Sequence, residues 1–531
     1  MSQAEHDWQQ ICPLDRLLPN TGVCARVNGR QIAIFRLGDD SVRAVDQWDP
    51  WSQANVLARG IVGDIEGEAV VASPIYKQHF SLTTGRCLED PGKSIRAYEA
   101  RVLDGQIWLD ARPKRRYISL RQAPESAMAL VVVGNGMAAV EAIEKLQERA
   151  PNQYSITVFD AEAHGHYHRI GMSAVLAGRQ PRNALDIRDA RWYAERGITL
   201  YSGDPVVLID RGRRVVTSAS GRRVPYERLI LATGAVPSTP DWPGTDLDGV
   251  TTYRSIDDLD YLIEVARDKE RAVVVGGGAL GLEAAYGLSE RGMAVTLVHR
   301  GAQLLDRQLD ATAAEMLKRQ LEDRGIQVRL RSELLALEGN HGWVERVRIA
   351  GSPALDTDVV VVAVGVQPNI ALAAEAGLAC HRGIIVSDTL QSFDPRIYAI
   401  GECIEHRGTC YGLHAPHSEQ AGICAMQLAG QSVRGYRGSV AGMQLDLGDT
   451  GVYSTSLPHD EEETEDLVMH DPRRGLYKRL SLRDNRIVGA MLVGAVDDGP
   501  WYFDLLRAKV DISAMRSRLL FGEAYCEEEA A

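Results

Sequence analysis

One phosphate-cradling fingerprint occurs twice in this chain, as Gly134-Asn-Gly136-Met-Ala-Ala139 and as Gly276-Gly-Gly278-Ala-Leu-Gly281. Each follows an apolar run, Leu130-Val-Val-Val133 and Ala272-Val-Val-Val275, and each precedes an amphipathic stretch, Val140 to Leu146 and Leu282 to Leu288. In a βαβ turn of this kind the first glycine permits the tight bend and the second lets backbone amides approach a pyrophosphate. The last small residue lets helix and strand pack closely, and the helix N-terminus stabilises the anion. A lone fingerprint is weak, because glycine turns are common. Two of them, with strand and helix in place, predict two dinucleotide-binding units.

A chain of 531 residues exceeds what one hydrophobic core supports, so several domains are expected. A net charge of -13 disfavours nucleic acid and anionic membrane as partners, since their phosphates need a concentrated basic face. An acidic acceptor protein can still dock on a local basic patch. The start, Met1-Ser-Gln-Ala-Glu-His-Asp-Trp, lacks a basic region followed by an apolar core, and no apolar run approaches the roughly 20 residues that span a bilayer. A cytoplasmic enzyme is the expectation. The eight cysteines, at 12, 24, 87, 380, 403, 410, 424 and 526, include no CxxC or CxxxxC pair, so a redox disulfide is not expected. Two constellations invite a metal reading: Cys403, Cys410, His414 and His417, and the alternating His164, His166 and His168. Both lie in segments better explained by cofactor binding, and no metal site is expected.

Residues 1 to about 112 read as short strands with turn punctuation: Val23-Cys-Ala-Arg-Val, Gln31-Ile-Ala-Ile-Phe, Val42-Arg-Ala-Val, Ala69-Val-Val-Ala and Gln106-Ile-Trp-Leu. The basic, proline-containing Arg112-Pro-Lys-Arg-Arg-Tyr and the polar Arg121-Gln-Ala-Pro-Glu-Ser then read as a linker. From there to about residue 430 strands alternate with helical patterns, which calls for parallel sheets covered by helices. Gly451-Val-Tyr-Ser-Thr, Tyr477-Lys-Arg-Leu-Ser-Leu and Ile487-Val-Gly-Ala-Met-Leu-Val, then a helix near Trp501 to Lys509, predict a small antiparallel sheet with a helix. The acidic run Asp460-Glu-Glu-Glu-Thr-Glu-Asp and the tail Glu527-Glu-Glu read as solvated loops.

Three further strand ends belong with the fingerprints: Leu231-Ala-Thr233-Gly234-Ala, Val362-Ala-Val-Gly365-Val-Gln-Pro and Asp394-Pro-Arg-Ile-Tyr-Ala-Ile-Gly401-Glu402. In this order the motifs resemble the two-dinucleotide flavoproteins, the pyridine nucleotide oxidoreductases, over about residues 125 to 531. The resemblance implies FAD at Gly134 and Gly136, with Asp160 or Glu162 on the adenosine ribose and Thr233 and Gly234 at the strand end. It implies Glu402, after Gly401, on the ribityl chain, where aspartate is commoner. A helix starting near His417 would aim its positive end at the flavin pyrimidine. It implies a nicotinamide nucleotide at Gly276, Gly278, Gly281 and Gly365, with Glu283 near the nicotinamide as the one candidate catalytic side chain. After Val295-Thr-Leu-Val an NAD-preferring site usually shows Asp or Glu. This chain has His299-Arg300, which favours the 2'-phosphate of NADPH, with NADH left open.

The loop His166-Tyr-His-Arg169-Ile-Gly-Met-Ser173-Ala is similar to that of ferredoxin-type reductases, so Arg169 is expected to brace FAD; Ala174 stands where some of them have lysine. Trp192-Tyr-Ala-Glu-Arg-Gly, Tyr253-Arg-Ser-Ile-Asp-Asp-Leu, Arg307-Gln-Leu-Asp, Ile400-Gly-Glu-Cys and Tyr411-Gly-Leu-His-Ala-Pro resemble the flavin portion of the large subunit of assimilatory nitrite reductases. The siroheme-bearing half and the cysteine-rich iron-sulfur module of longer relatives are not in this sequence. Asp49-Pro-Trp-Ser-Gln-Ala-Asn and Ala72-Ser-Pro-Ile-Tyr-Lys-Gln-His look like the Rieske-like small subunit of the same enzymes. True Rieske centres bind iron through two cysteines and two histidines, whereas the corresponding places here hold Asp49, Trp51, Ser73 and Tyr76. Neither Cys87 nor His79 replaces that set, and no cluster is expected.

The implied layout is a Rieske-like all-β domain (1–112), a linker (113–126), an α/β Rossmann-type FAD domain (127–247 with 375–430), a Rossmann-type NAD(P)H domain (248–374) and an α+β interface domain (431–531). The implied activity passes electrons from NADPH or NADH through FAD to a separate iron-sulfur, siroheme or molybdenum redox protein of nitrite or nitrate assimilation. A ferredoxin or rubredoxin reductase outside nitrogen metabolism, or a cofactor-bound assembly module, are the rivals. An oligomer is compatible with either.

Overall fold

The computed structural model describes residues 8–65, 68–89, 93–114, 127–412, 414–432, 434–455 and 464–526, with nothing specified for the side chain of residue 414. Two compact units divide the chain, Met1–Arg121 with Ala194–Arg196, and Gln122–Tyr193 with Gly197–Ala531.

In the first unit a six-stranded sheet runs in the order Trp8–Pro13, Gln106–Pro113, Ala97–Leu103, Val42–Asp46, Arg30–Arg36, Thr21–Val27, each strand antiparallel to its neighbour. A three-stranded sheet of Ile61–Ile65, Glu68–Ala72 and His79–Ser81 accompanies it. Alternation explains the pairing: Ala33, Phe35 and Val45 face one core with Leu57, Val71 and Phe80, while Ile32, Ile34 and Ala44 face another with Tyr98, Ile107 and Leu109. Burying each large side chain contributes about 1.5–3 kcal/mol. The last strand extends to Pro113, the first residue of the expected linker. The rest of that linker from residue 115, the acidic run from 460 to 463 and the acidic tail lie outside the described residues.

The second unit holds two parallel five-stranded sheets of one plan. In the first, Met128–Val133 pairs on one side with Tyr154–Phe159 and then Thr199–Tyr201, and on the other with Arg228–Leu231 and then Ile397–Ala399. The second repeats this around Arg271–Val275, with Ala294–Val298 and Gln327–Arg329 on one side, Val359–Val362 and Val250–Thr252 on the other. The fingerprint strand is central in each, so it is apolar on both faces: Leu130 to Val133 and Ala272 to Val275 are all buried. The strand ends cross between the two sheets, Ala235–Pro237 pairing antiparallel with Val366–Pro368.

A five-stranded antiparallel sheet, Gly442–Leu447, Thr450–Thr455, Arg486–Val493, Leu476–Arg483, Glu465–Asp471, closes the unit with the helix Gly499–Ala508. Its face continues the core of the second fingerprint helix, Leu282 and Tyr286 sharing a cluster with Met443, Leu445 and Val493. These layers match the all-β, double Rossmann-type and α+β architecture expected from the sequence. Among the described residues no helix is long and apolar enough to cross a membrane.

Candidate cofactor and nucleotide sites

Both fingerprint helices, Met137–Arg149 and Ala279–Glu290, start on a glycine, Gly136 and Gly278, and neither has a side-chain cap. A Cβ added to either glycine meets nothing within 4 Å. Uncapped amides at a helix N-terminus facing open space are what a pyrophosphate needs. The preceding glycines do a different job. Gly134 (φ +104°) and Gly276 (φ +124°) lie where a Cβ would come within 2.2 Å of the Ala232 carbonyl and 2.1 Å of the Ala363 carbonyl, so they permit the bend. Gly281 would meet the Gly276 carbonyl at 1.9 Å, which explains the small residue there; Ala139, fully buried, holds the matching place in the first turn.

Around the first turn the structure gathers every FAD candidate read from the sequence. Asp160, at the end of Tyr154–Phe159, is buried, and burial raises its carboxyl to about 6; Glu162's charge adds, while hydrogen bonds from the Glu162 amide and Asn135 oppose. Glu162 is already engaged: Arg169 Nη2 donates to Oε1 (2.7 Å) and the Tyr167 hydroxyl to Oε2 (2.7 Å). Thr233 Oγ1 donates to the Asn369 carbonyl (2.6 Å) and Gly234 holds φ +67°, its missing Cβ facing Glu402 at 4.0 Å. Gly401 (φ +87°) donates its amide to the buried Gln420 (2.8 Å). The helix expected near His417 begins at His414, one turn earlier, so buried His417 stands in its first turn with Nε2 3.5 Å from the Tyr411 carbonyl. These residues fit FAD: open amides at a helix N-terminus, a buried carboxylate at the end of the next strand and a positive-φ glycine beside an acid.

The resemblance includes Arg254, in Tyr253-Arg-Ser-Ile-Asp-Asp-Leu, but gives it no role. Its guanidinium pairs with Glu402, and its carbonyl accepts from Arg169. Local sequence sets this up. Ser255 and Asp258 form a capping box on the helix Ile256–Asp268, and Asp258 also accepts the Arg254 amide (2.7 Å). The S-x-x-D spacing was the available signal.

Around the second turn, Glu283 is half-buried on its helix, and desolvation with Asp446's charge pushes its carboxyl up to about 7. It also acts on Tyr253, whose buried hydroxyl has no partner among the described residues. His299 reaches the turn itself, Nδ1 accepting the Gly277 amide (3.1 Å), whereas Arg300 is exposed. Gly365 (φ +125°) opens on free space.

The alternating histidines disperse, and the side chain of His414 in the cysteine constellation lies outside the described residues. His164 pairs with Asp257 (2.8 Å), His166 is buried against the Asn135 carbonyl (3.0 Å) and His168 is exposed. Among the described residues no cysteine is in a disulfide, and no three His, Cys, Asp or Glu side chains form a metal set.

In the first unit the tips that carry Asp49 and Ser73 do meet. Asp49 is fully buried and accepts hydrogen bonds from Ser73 (2.6 Å), Ser52 (2.8 Å) and the Trp51 amide (2.9 Å). Lys93 lies over the Trp51 ring at 3.6 Å, and Tyr76 is exposed. Cys87 is buried in the core and His79 is paired with Glu89 (2.6 Å).

Two dinucleotide turns in one unit, with a Rieske-like sandwich before them, define the class: a two-nucleotide flavoprotein fold. The chain belongs to the pyridine nucleotide-disulphide oxidoreductase family, whose model matches residues 128–427, and the family bears out FAD and NADPH or NADH as its cofactors. Residues 7–110 match the Rieske-like [2Fe-2S] domain and residues 444–510 the rubredoxin NAD+ reductase C-terminal domain. The donor set does not fit that cluster: a hydrogen-bonded carboxylate, a hydroxyl, an indole and a phenol offer no thiolate and no imidazole.

Among relatives, nitrite reductase [NAD(P)H] of Bacillus subtilis (strain 168) is 41% identical over 72% of this chain and 48% of its own length. The assimilatory nitrate reductase electron transfer subunit of the same organism is 36% identical over 74% of this chain and 51% of its own. The chain thus spans about half the length of these relatives. A ferredoxin reductase from Rhodopseudomonas palustris superposes with a TM-score of 0.64 at 26% identity, over 69% of this chain and 91% of its own.

Proposed function

We propose that the chain takes electrons from NADPH or NADH and delivers them singly, through FAD, to a separate redox protein of nitrite or nitrate assimilation or to an iron-sulfur carrier feeding it. The carrying observation is the pair of uncapped, open glycine N-termini within one unit, one beside the Glu402 strand end and one beside Glu283. The named relatives support the nitrogen setting. Bound FAD would supply hydride acceptance and its division into single electrons.

The chain's own residues bind and orient. Residues 127–247 with 375–430 are assigned to FAD, and 248–374 to the nicotinamide nucleotide. Asp160 rather than Glu162 is left for the ribose hydroxyls, because Glu162 is taken by Arg169 and Tyr167. Glu283, held half-neutral near pH 7, answers charge changes at the nicotinamide. Exposed Arg300 favours the 2'-phosphate of NADPH. Eight cysteines without a disulfide among the described residues suit a reducing cytoplasm. The match over residues 444–510 favours a second reading, rubredoxin or ferredoxin reduction. Steady-state reduction of a nitrite reductase, a rubredoxin and a ferredoxin by the same flavin-loaded protein separates the two: nitrogen-assimilation acceptors are expected to turn over fastest, and exclusive activity with rubredoxin sinks the first reading.

A further inference from the structure

Each fingerprint turn is held at its middle residue by a histidine, and the two bonds have opposite polarity. At the first turn, His166 Nδ1–H donates to the Asn135 carbonyl (3.0 Å), and the Tyr193 hydroxyl donates to the Asn135 side chain (2.5 Å). At the second turn the Gly277 amide donates to His299 Nδ1 (3.1 Å), while the Gly277 carbonyl accepts from the Leu305 amide (3.0 Å). Both polar groups of the Gly277 peptide are thus tied to the segment after Ala294–Val298. Its neighbours make room for the ring: a Cβ on Gly277 would sit 2.7 Å from His299 Cγ, and one on Gly301 2.5 Å from Nε2. Nε2 is buried without a hydrogen-bond partner among the described residues.

Resting on the nucleotide reading of the second site, we propose that His299 is a positioning residue that clamps the nicotinamide-nucleotide turn through an unprotonated Nδ1, and is not itself a ligand of the 2'-phosphate. Selection between the two nucleotides then falls to Arg300, and the clamp releases in acid. A protonated imidazole carries hydrogen on both nitrogens and cannot accept the Gly277 amide. The first turn lacks this sensitivity, because protonated His166 still donates to Asn135. Charged groups acting on the His299 ring are Asp306 and Arg300, both from the segment that follows its strand; the fingerprint turn and Gln327–Arg329 offer backbone. Burial holds the ring below the usual histidine value, with Asp306 and the Gln303 backbone opposing and Arg300 assisting, so the clamp is closed at neutral pH.

The test is equilibrium binding of NAD+ and NADP+ to the protein under saturating FAD from about pH 7.5 to 5.0, with circular dichroism at each pH as the check on folding. NAD+ has no 2'-phosphate, so its pH dependence does not contain that group's own titration. Wild-type affinity for NAD+ is expected to fall as the pH is lowered. His299→Asn keeps an acceptor near the Nδ1 position without a titrating ring, so it is expected to bind within about twofold of wild type at pH 7.5 and to lose the part of the pH dependence that His299 carries, leaving only that of Glu283. His299→Leu leaves the amide unpaired and is expected to weaken both nucleotides equally, roughly three- to tenfold, at every pH. A loss confined to NADP+ in His299→Leu would assign His299 to the 2'-phosphate and overturn the proposal. So would unchanged NAD+ binding in His299→Leu, or an acid-dependent loss in His299→Asn equal to that of wild type. Wild-type protein that binds neither nucleotide refutes the nucleotide reading itself, and the clamp with it.

Discussion

Arg254 and Glu402, 148 positions apart, close an ion pair at the strand end beside the first fingerprint turn, with side chains only 16% and 15% exposed. The pair fastens the entry of the second sheet to the exit of the first, and Arg169 joins it through the Arg254 carbonyl. Removing one partner of a partly buried charged pair leaves the other unsatisfied, at about 1–3 kcal/mol. Arg254→Ala is therefore expected to fold and to bind FAD roughly tenfold or more weakly, because Glu402 loses the cation that orients it. Flavin release followed by fluorescence measures this; unchanged FAD affinity would remove Arg254 from the site.

Gly136→Val and Gly278→Val separate the two nucleotide sites. Neither glycine has a positive φ, and an added Cβ meets open space at both, so the folded chain tolerates the change while the cofactor does not. The first variant is expected flavin-poor; the second should retain flavin but resist reduction by NADPH or NADH. Equal flavin loss in both would contradict the assignment of separate sites.

Asp160 predicts a pH dependence with a definite sign. Its carboxyl in the unliganded protein lies near 6, raised by burial, and only the ionised form accepts from both ribose hydroxyls. FAD affinity is expected to level off well above pH 6 and to fall as the pH drops through that value, while Asp160→Asn binds weakly with a flat profile in this range. Fluorescence titration across pH 5 to 8 reads both, and an identical pH profile in wild type and variant would show that Asp160 does not carry the effect.

Sequence reading located what glycine geometry and β-branched runs determine: both fingerprint strands and helices, and the strand ends at Gly234, Gly365 and Gly401. Strands such as Ala97–Leu103 and His79–Ser81 escaped it. Ala97–Leu103 buries only its first residues and carries Glu99 and Arg101, so its pattern is too weak for alternation to register; His79–Ser81 is too short. The site was legible where a motif is local. The Arg254–Glu402 pair and the Gly277–His299 bond join separate segments, and nothing in the spacing shows which polar groups meet across the fold.

The buried carboxylate of Asp49 joins two loop tips through Ser52 and Ser73. Asp49→Ala is expected to destabilise the first unit by about 1–3 kcal/mol, chiefly the cost of orphaning the buried Ser73 hydroxyl. Denaturant unfolding monitored by tryptophan fluorescence checks this. Native protein is expected to contain no stoichiometric iron; iron with matching sulfide would refute the donor-set argument.

The central claim is tested most directly by anaerobic titration of the yellow holoprotein with NADPH and NADH, followed by reoxidation with a one-electron acceptor protein. About one FAD per chain, bleached by one equivalent of nucleotide and restored by two equivalents of acceptor, is the predicted result. Protein that purifies without flavin and takes none up, or flavin that neither nucleotide reduces, would contradict it.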